Sequence, residues 1–471
     1  MTDRTARSRN TPVVAVVGGG ASATLIAAHL LRRTGPVPRL LLIDRHGRHG
    51  RGQAYSTQDP NHLLNVRAMN MSGLQDDPGH LVDWARSHAF DVSGEDFLPR
   101  ALYGRYLRDL LDTSAGTRPG HVTELTGTVL TLAAEPSATG WRLHLADGAS
   151  RPADAVVLAV GNQPPARPPW EPPSSRYIAD PWHSGALNVI DDDAPALIVG
   201  TGLTMVDLAI SLTGRHPDRV VHAISRHGML PRPHHPPPRP PEAQIVLPAG
   251  PLTLRELLRW ARLTIEANDG EWHGFVDAVR PHVPTLWNSL SEADRRRFLN
   301  LVARHWEVHR HRIPLASAAR IDALRAAGRL HILRGSIDAV QAAAQRRLFV
   351  QVSDGEKTSQ LRIGWLINGT GPAATPRTDA LLSSLVAAGI ARPGPLGLGL
   401  DADPDGAVRD AAGRPHENLF TLGPPLRGIH YETTAIPEIR AQAAALADRL
   451  TLLNRSGHQE TSRDGRPVPS H

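Results

Sequence analysis

Glycines at two places in this sequence have the spacing of turns that bind phosphate groups. At the first place, Gly18 and Gly20 follow the apolar run 13–17, and the small Ala23 lies in the helix-like stretch behind them. Gly18 permits a sharp turn out of a buried strand, Gly20 lets the backbone approach a pyrophosphate, and Ala23 lets the helix pack close to the sheet. The next apolar run ends at Asp44, where a carboxylate suits a free ribose hydroxyl. This segment predicts a dinucleotide site with its phosphates at a helix N-terminus.

A second copy of the pattern begins at Gly200 and Gly202. Met205 replaces the third small residue, so this copy is the weaker match by itself. The strand-like run that follows ends in Ser225 and Arg226, where the first copy ends in a carboxylate. Because a guanidinium suits a 2′-phosphate, the second site is predicted to bind NADPH, and the first an adenosine without that phosphate.

The elements that carry these turns are those of an α/β fold. Apolar runs bounded by glycine fit strands buried on both faces, as in parallel sheets covered by helices. Helical spacing at 252–268, 272–283, 290–312 and 316–327 predicts a cap of about four helices. We therefore expect two Rossmann-like dinucleotide-binding domains, the second inserted into the first, together with a helical cap.

The expected boundaries follow from where these patterns change. Disordered termini are expected at 1–11 and 455–471. The remaining segments are the first, discontinuous domain at 12–165 and 366–454, the second domain at 166–245 and 330–365, and the helical insertion at 246–329.

Composition excludes several kinds of chemistry. The 471 residues include no cysteine, which excludes a disulfide framework, a cysteine nucleophile and a Cys-x-x-Cys redox pair. No apolar run is long enough to cross a bilayer and the polar start resembles no signal peptide, so we expect a soluble cytoplasmic protein without membrane contact. The formal charge of +6 is carried by scattered arginines rather than by a basic patch with aromatics. We therefore expect no nucleic-acid partner, although a basic cleft would attract anionic cofactors and favour an anionic substrate.

A long non-periodic segment after the second strand offers polar candidates. His62, Asn65 and Ser72 lie in it among apolar residues that favour packing over disorder. Because long loops in compact domains are often functional, this segment is a candidate wall for a flavin or a substrate, with simple packing as the alternative.

Two pairs of histidines are interpreted as structural. His234 and His235 lie in the proline-rich stretch 231–242, which predicts an extended, solvated linker. His305 and His309 are one helical turn apart, but no third ligand is near them in the sequence. We expect no metal site and interpret this Arg/His-rich helix as a solvated or anion-facing surface.

Several motifs together resemble one known family. These are the runs Gly-Gln-Ala-Tyr-Ser-Thr, His-Leu-Leu-Asn-Val, Gly-Thr-Gly-Leu-Thr-Met-Val-Asp, Ser-Arg-His-Gly and Thr-Thr-Ala-Ile-Pro-Glu-Ile-Arg. With the two glycine turns, they resemble the bacterial FAD-NAD(P)-binding family of two-dinucleotide-binding-domain flavoproteins, which is related to class B flavin monooxygenases and amino-acid N-hydroxylases. The resemblance spans roughly residues 12 to 450 and implies FAD and NADPH more firmly than it implies a substrate.

The resemblance also implies roles for residues at matching positions. The residues implied at the two cofactor sites are, for FAD, Gly18, Gly20, Ser22, Asp44, Gly52, Asn65, Ser72, Val129, Gly161, Gly423, Thr434 and Ile436, and for NADPH, Gly200, Gly202, Leu203, Thr204 and Arg226. Val129 would lie near the adenine. One departure is that Gly423 is followed by Pro424 where relatives often have an aspartate that binds the ribityl chain.

The reaction implied is the hydride reduction of FAD by NADPH, followed by reaction with O₂ to a C4a-(hydro)peroxyflavin that oxygenates a small amine or amino-acid-like substrate. The cofactor carries this chemistry, so no catalytic residue is required. The flavin-proximal candidates are His62, Asn65 and Glu432. Arg67, Arg100 and Arg312 are candidates for binding a substrate carboxylate, with an ordinary structural role as the alternative for each.

Two other functions remain open at this point. The first is an NADPH-dependent flavin dehydrogenase or oxidase that inserts no oxygen. The second is a flavin-binding protein without catalytic activity.

Overall fold

A computed structural model describes residues 11–135, 140–344 and 346–459 of the chain. Of the two termini expected to be disordered, residues 1–10 and 460–471 lie outside the described residues. The last helix continues to Gln459, five residues beyond the boundary expected at 454.

The described chain contains both α-helices and β-strands. The helices in chain order are α1 (Ala21–Leu31), α2 (His80–Ser87), α3 (Arg100–Gly116), α4 (Leu203–Arg215), α5 (Leu254–Ala267), α6 (Trp272–Val279), α7 (Val283–Ser289), α8 (Glu292–Arg297), α9 (Ala303–Arg310), α10 (Leu315–Ala326), α11 (Ala380–Ala387), α12 (Arg427–His430) and α13 (Ile436–Gln459). The strands are β1 (Val13–Val17), β2 (Arg39–Asp44), β3 (Val122–Thr126), β4 (Val129–Ala134), β5 (Trp141–Leu145), β6 (Ser150–Ala153), β7 (Ala155–Leu158), β8 (Tyr177–Ile178), β9 (Ala196–Val199), β10 (Val221–Ser225), β11 (Leu330–Arg334), β12 (Ser336–Ala343), β13 (Arg347–Ser353), β14 (Thr358–Ile363), β15 (Trp365–Asn368), β16 (Ala407–Arg409) and β17 (Pro415–Thr421).

The first sheet has the strand order β16-β17-β7-β1-β2-β3, and only the β16–β17 pair is antiparallel. Alternate residues of β1 enter two different cores, because successive side chains of a strand point to opposite faces. Val14 and Val16 pack with α1, α3 and α13, whereas Ala15 and Val17 pack with α11 and the antiparallel sheet β4-β5-β6. A sheet covered on both faces explains the continuous apolar run that predicted β1.

The second sheet repeats this arrangement with the parallel order β11-β10-β9-β15-β8. Helices α4 and α10 cover one face, and the antiparallel sheet β12-β13-β14 covers the other. The predicted α/β class with two dinucleotide-binding folds is confirmed.

Two of the domain boundaries expected from the sequence differ from those in the structure. The division expected between 365 and 366 falls inside β15, which belongs to the second sheet. Helix α10, expected in the cap, packs on the second sheet through Ile321.

The cap consists of helices α5 to α9, and all of them except the short, charged α8 contribute to one apolar core. A five-residue π-helical turn, Phe298–Val302, joins α8 to α9. Within the described residues, no helix is both long enough and apolar enough to cross a membrane.

Helix α4 of the second sheet is tied to the first domain by buried polar contacts. Arg100 of α3 places Nη2 2.7 Å from Oδ2 of Asp207, and both side chains are largely buried. One turn further along α4, the Ser211 hydroxyl donates to Asp59 at 2.5 Å and lies 2.8 Å from Nε2 of His62. Because Ser211 gives its proton to the carboxylate, His62 donates to Ser211 from Nε2.

We expect Asp207→Ala to lower the free energy of unfolding by about 3–5 kcal/mol, because it leaves the Arg100 guanidinium buried without its charge partner. The double variant Arg100→Met/Asp207→Leu removes both charges and should recover most of that loss. Urea unfolding followed by circular dichroism measures both effects. A single variant as stable as the parent would contradict the importance of this ion pair.

Candidate cofactor site

The two glycine turns have the same geometry at the carboxyl ends of equivalent strands. Gly18 has φ of +120°, and a Cβ there would lie 2.2 Å from the carbonyl oxygen of Ala159. Gly200 has φ of +112°, and its Cβ would lie 2.4 Å from the carbonyl oxygen of Gly369. Both the dihedral angle and the close backbone approach therefore exclude every residue except glycine at these positions.

Both turns lead directly into a helix without a capping side chain. Gly20 is the N-cap of α1 and Gly202 is the N-cap of α4, and neither helix end is capped by a side-chain hydrogen bond. The first N–H groups of each helix lack partners within the helix, and the helix dipole adds positive potential there. Each turn therefore has the properties of a phosphate-binding site.

Asp44 is held beside the first turn by backbone hydrogen bonds. Its carboxylate accepts from the N–H of Gly19 at 3.1 Å, and from those of His46 and Arg48 at 2.9 Å each. A cradle with an open helix end and an oriented carboxylate fits the ADP part of FAD. Gly52 lies against this turn, since a Cβ on Gly52 would be 2.6 Å from Cα of Gly20.

The second turn is surrounded by positive charge. Arg226 is exposed directly after β10, and Arg304 of α9 donates to the Thr201 hydroxyl at 3.1 Å. Burial and the charges of Arg226, Arg304 and Arg334 lower the pKa of His227, so these groups act on one small region. A cluster of guanidinium groups beside an open helix end fits a 2′-phosphate. Arg304 was missed as an individual candidate, although the Arg/His-rich composition of its helix indicated an anion-facing surface.

One cavity of about 770 Å³ joins the two halves of the molecule. The residues expected at a cofactor or substrate that line it are Asn65, Arg100, Gly161, Gly200, Gly202, Leu203, Thr204, Arg226, Glu432, Thr434 and Ile436. The structure thus brings the second glycine turn together with the segment that precedes α13, although they are more than two hundred positions apart in the sequence.

Other predicted residues lie outside the wall of this cavity. Ser22 lies at the start of α1, and a Cβ on Gly423 would be 3.0 Å from its hydroxyl. Ser72 is fully buried and its hydroxyl donates to the carbonyl of Asp77 at 2.6 Å, so it has a structural role in its loop. Val129 is packed in the core beneath the first sheet.

His62 and the three candidate substrate arginines have other partners. His62 is buried in the contact with α4 and lines a separate cavity. Arg67 pairs with Glu95, Arg100 with Asp207, and Arg312 with Asp277. Each guanidinium thus has a carboxylate within the protein, which favours the structural alternative for all three.

Glu432 is a buried carboxylate in the wall of the cavity. The Trp306 indole donates to Oε1 at 2.8 Å, and Arg310 places Nη2 3.5 Å from Oε2. Burial acts to raise the pKa of Glu432, but Arg310, His311, Trp306 and Arg280 outweigh it and leave the pKa below its usual value. This carboxylate is therefore ionised at neutral pH and faces the cavity.

Most of the proline-rich stretch 231–242 is exposed, but His234 within it is not solvated as the composition predicted. His234 is only 7% exposed, its Nε2 donates to the carbonyl of Asn65 at 3.0 Å, and its Nδ1 faces Arg67. Burial and the charges of Arg312 and Arg67 lower the pKa of His234 to about 3. The composition could not show this, because the partners come from distant segments. A neutral His234 thus supports the backbone of Asn65 in the cavity wall.

We expect the free energy of unfolding to fall as the pH is lowered from about 6.5 towards 3, because a histidine in the unfolded chain takes up a proton in this range and folded His234 does not. His29, whose pKa burial lowers to about 4, acts in the same direction. His234→Gln should reduce the slope of stability against pH, which urea unfolding at several pH values measures. Equal slopes in parent and His234→Gln would contradict this assignment.

Among the described residues, no group of three or more potential ligands is placed to hold a metal ion.

Comparison with known proteins gives two results. Residues 15–163 match the model of a family described as FAD-NAD(P)-binding. No curated protein matches the sequence.

Three solved structures share the fold over nearly the whole chain. The ornithine N-hydroxylase of Kutzneria sp. 744, determined with reduced FAD, NADP⁺ and L-ornithine, has 14% identity and a TM-score of 0.65, and the alignment covers 94% of this chain and 99% of that one. The ornithine hydroxylase of Pseudomonas aeruginosa has 17% identity, the same TM-score and the same coverage. The FAD-bound cadaverine monooxygenase of Erwinia amylovora has 13% identity, a TM-score of 0.65, and coverage of 98% and 100%.

The fold and the two turns define a protein with two dinucleotide-binding domains. Within that class, the chain has the fold of the N-hydroxylating flavin monooxygenases. The family match confirms, over residues 15–163, the resemblance inferred from the motifs. The predicted cofactors, FAD and NADP, agree with the family model and with the solved structures.

Proposed function

We propose that this protein is an FAD-dependent, NADPH-consuming monooxygenase that hydroxylates the nitrogen of a small amine. Two observations carry the proposal: the second glycine turn, Arg226 and the segment before α13 line one cavity, and the first glycine turn holds the oriented carboxylate of Asp44. The fold shared with three amine hydroxylases supports the reaction type.

The residues at the two turns would hold the cofactors. The open N-terminus of α1 and the carboxylate of Asp44 would hold the pyrophosphate and ribose of FAD. The open N-terminus of α4, with Arg226 and Arg304, would hold the phosphates of NADPH. When bound, FAD would supply hydride acceptance from NADPH and activation of O₂.

The protein groups in the cavity would position the substrate and exclude water. Glu432 is kept ionised and is oriented by Trp306 and Arg310, so it can accept hydrogen bonds from a substrate ammonium. Thr434 and Ile436 lie at the start of α13, where helix N–H groups favour negative charge on the group bound there. Leu64 and Met71 add apolar wall beside Asn65.

The reaction is tested with purified protein loaded with FAD. Under anaerobic conditions NADPH should bleach the flavin, and admission of ¹⁸O₂ with an amine should give a hydroxylamine that carries the label. Bleaching followed by hydrogen peroxide alone, with no labelled product from any amine, would instead indicate an oxidase. Flavin that NADPH never bleaches would indicate a binding protein without catalysis.

We expect Arg226→Ala to lower the preference for NADPH over NADH by about tenfold to hundredfold, because a hydrogen bond to a charged group contributes about 1.5–3 kcal/mol. Steady-state flavin reduction with each nucleotide measures the ratio. The matched control is Arg232→Ala, at an exposed arginine outside the cavity wall, which should leave the ratio unchanged. An unaltered preference in Arg226→Ala would remove this residue from the NADPH site.

A further inference from the structure

The cap contains a second, apolar cavity of about 290 Å³, here called the cap chamber. Apart from His305 and His309, every residue in its wall is aliphatic or aromatic. Its aromatic residues on α5 to α9 and the turn between α8 and α9 are Trp260, Trp272, Phe275, Trp287, Phe298 and Trp306. This volume lies near the lower end of ligand pockets, at roughly 300 Å³.

Three of the four tryptophans in the chamber wall have their indole N–H bonded outside it. The indole N–H of Trp260 donates to the carbonyl of Val246, that of Trp287 to the carbonyl of Gly428, and that of Trp306 to Glu432. These indoles therefore present carbon surface to the chamber. A ligand inside finds apolar contact and almost no hydrogen-bonding groups, which selects an aromatic or aliphatic group.

Helix α9 is the common wall of the chamber and the cofactor cavity. Arg304 and Glu307 on one side of the helix line the cofactor cavity, and His305 and Trp306 on the other side line the chamber. The cofactor side is charged and the chamber side is largely aromatic. The two cavities therefore provide neighbouring environments of opposite polarity.

Tyr431 is the residue that lines both cavities. Its ring stacks on Trp287 with centroids 4.7 Å apart. Its φ of +57° is unusual for a bulky residue, and such strain is concentrated at functional sites. The Tyr431 hydroxyl makes no hydrogen bond of ordinary geometry among the described residues. Burial raises the pKa of Tyr431, although the nearby Arg427 acts to lower it. Glu432, the ionised carboxylate of the cofactor cavity, is the next residue.

We infer that the cap chamber binds an aromatic or aliphatic group of the substrate, whose amine extends past Tyr431 to Glu432. The substrate class is then an arylalkyl or alkyl amine, not a diamine or an amino acid with a charge at both ends. That the chamber binds an aromatic or aliphatic group is inferred from the cap residues alone. Only the placement of the amine rests on the proposed function.

The test uses the FAD-loaded protein without NADPH, so that binding is measured separately from turnover. Calorimetric titrations compare benzylamine, 2-phenylethylamine and 3-phenylpropylamine with 1,5-diaminopentane. The dissociation constant should fall about fourfold for each added methylene, with a negative heat-capacity change, and the diamine should bind at least about tenfold more weakly than 3-phenylpropylamine. Equal affinity for all four amines would overturn the chamber assignment.

A matched pair of variants on α5 locates the binding. Ala261 lines the chamber, whereas Ala267 is exposed at the end of the same helix. Ala261→Phe should weaken binding of 3-phenylpropylamine by about tenfold or more, and Ala267→Phe should not change it. If Ala261→Phe fails to fold, Val302→Phe fills the chamber from the turn between α8 and α9. Unchanged affinity in the folded filling variant would overturn the inference.

The flavin absorption spectrum tests the placement of the amine. Binding of 3-phenylpropylamine should shift the visible band of bound FAD, and propylbenzene, which has no nitrogen, should compete for the chamber without shifting it. A tightly bound amine that never perturbs the flavin would separate the chamber from the reaction and overturn this half. A protein that cannot take up FAD would refute the proposed function instead, while its chamber would still bind phenylalkylamines.

Discussion

The structure depends on the close approach of two backbone segments at each of two strand ends. At Gly18 and at Gly200 a side chain would collide with a carbonyl oxygen of the neighbouring strand, and both residues have positive φ. These contacts direct the chain from a buried parallel strand into a helix whose first N–H groups remain unbonded by side chains. Open helix ends beside the carboxyl edge of a sheet are the physical basis of nucleotide binding in folds of this kind.

Two such turns form one site only if the domains that carry them keep a fixed relation. Buried polar groups supply this relation between α3, α4 and the loop that contains His62. A carboxylate such as Asp207 is costly to bury without Arg100, so the pair favours one orientation of the two domains over others. The same constraint explains why Arg100, a candidate for binding a substrate carboxylate, is paired with Asp207 instead.

In the proposed function, the cap would decide which substrates fit beside the two cofactor sites. Its helices line an aromatic chamber on one side of α9, and the other side of that helix contributes charge to the cofactor cavity. A single helix with two chemically different faces thus separates an apolar environment from an anion-binding one. Because such faces are built from residues at helical spacing, small changes in the cap can alter the substrate class without disturbing either glycine turn.

The sequence by itself determined the features that depend on short-range order. Each glycine turn, the strand that ends at Asp44 and the strand that ends beside Arg226 is encoded in its own short stretch of sequence, so local sterics and periodicity were sufficient to predict the fold class and both turns. Only the tertiary structure decided that His234 is buried and that Arg67, Arg100 and Arg312 pair with carboxylates. It also decided that β15 and α10 belong to the second sheet and that the cap contains a chamber. The physical reason is that burial and ion pairing depend on contacts between distant segments, which composition and periodicity do not specify.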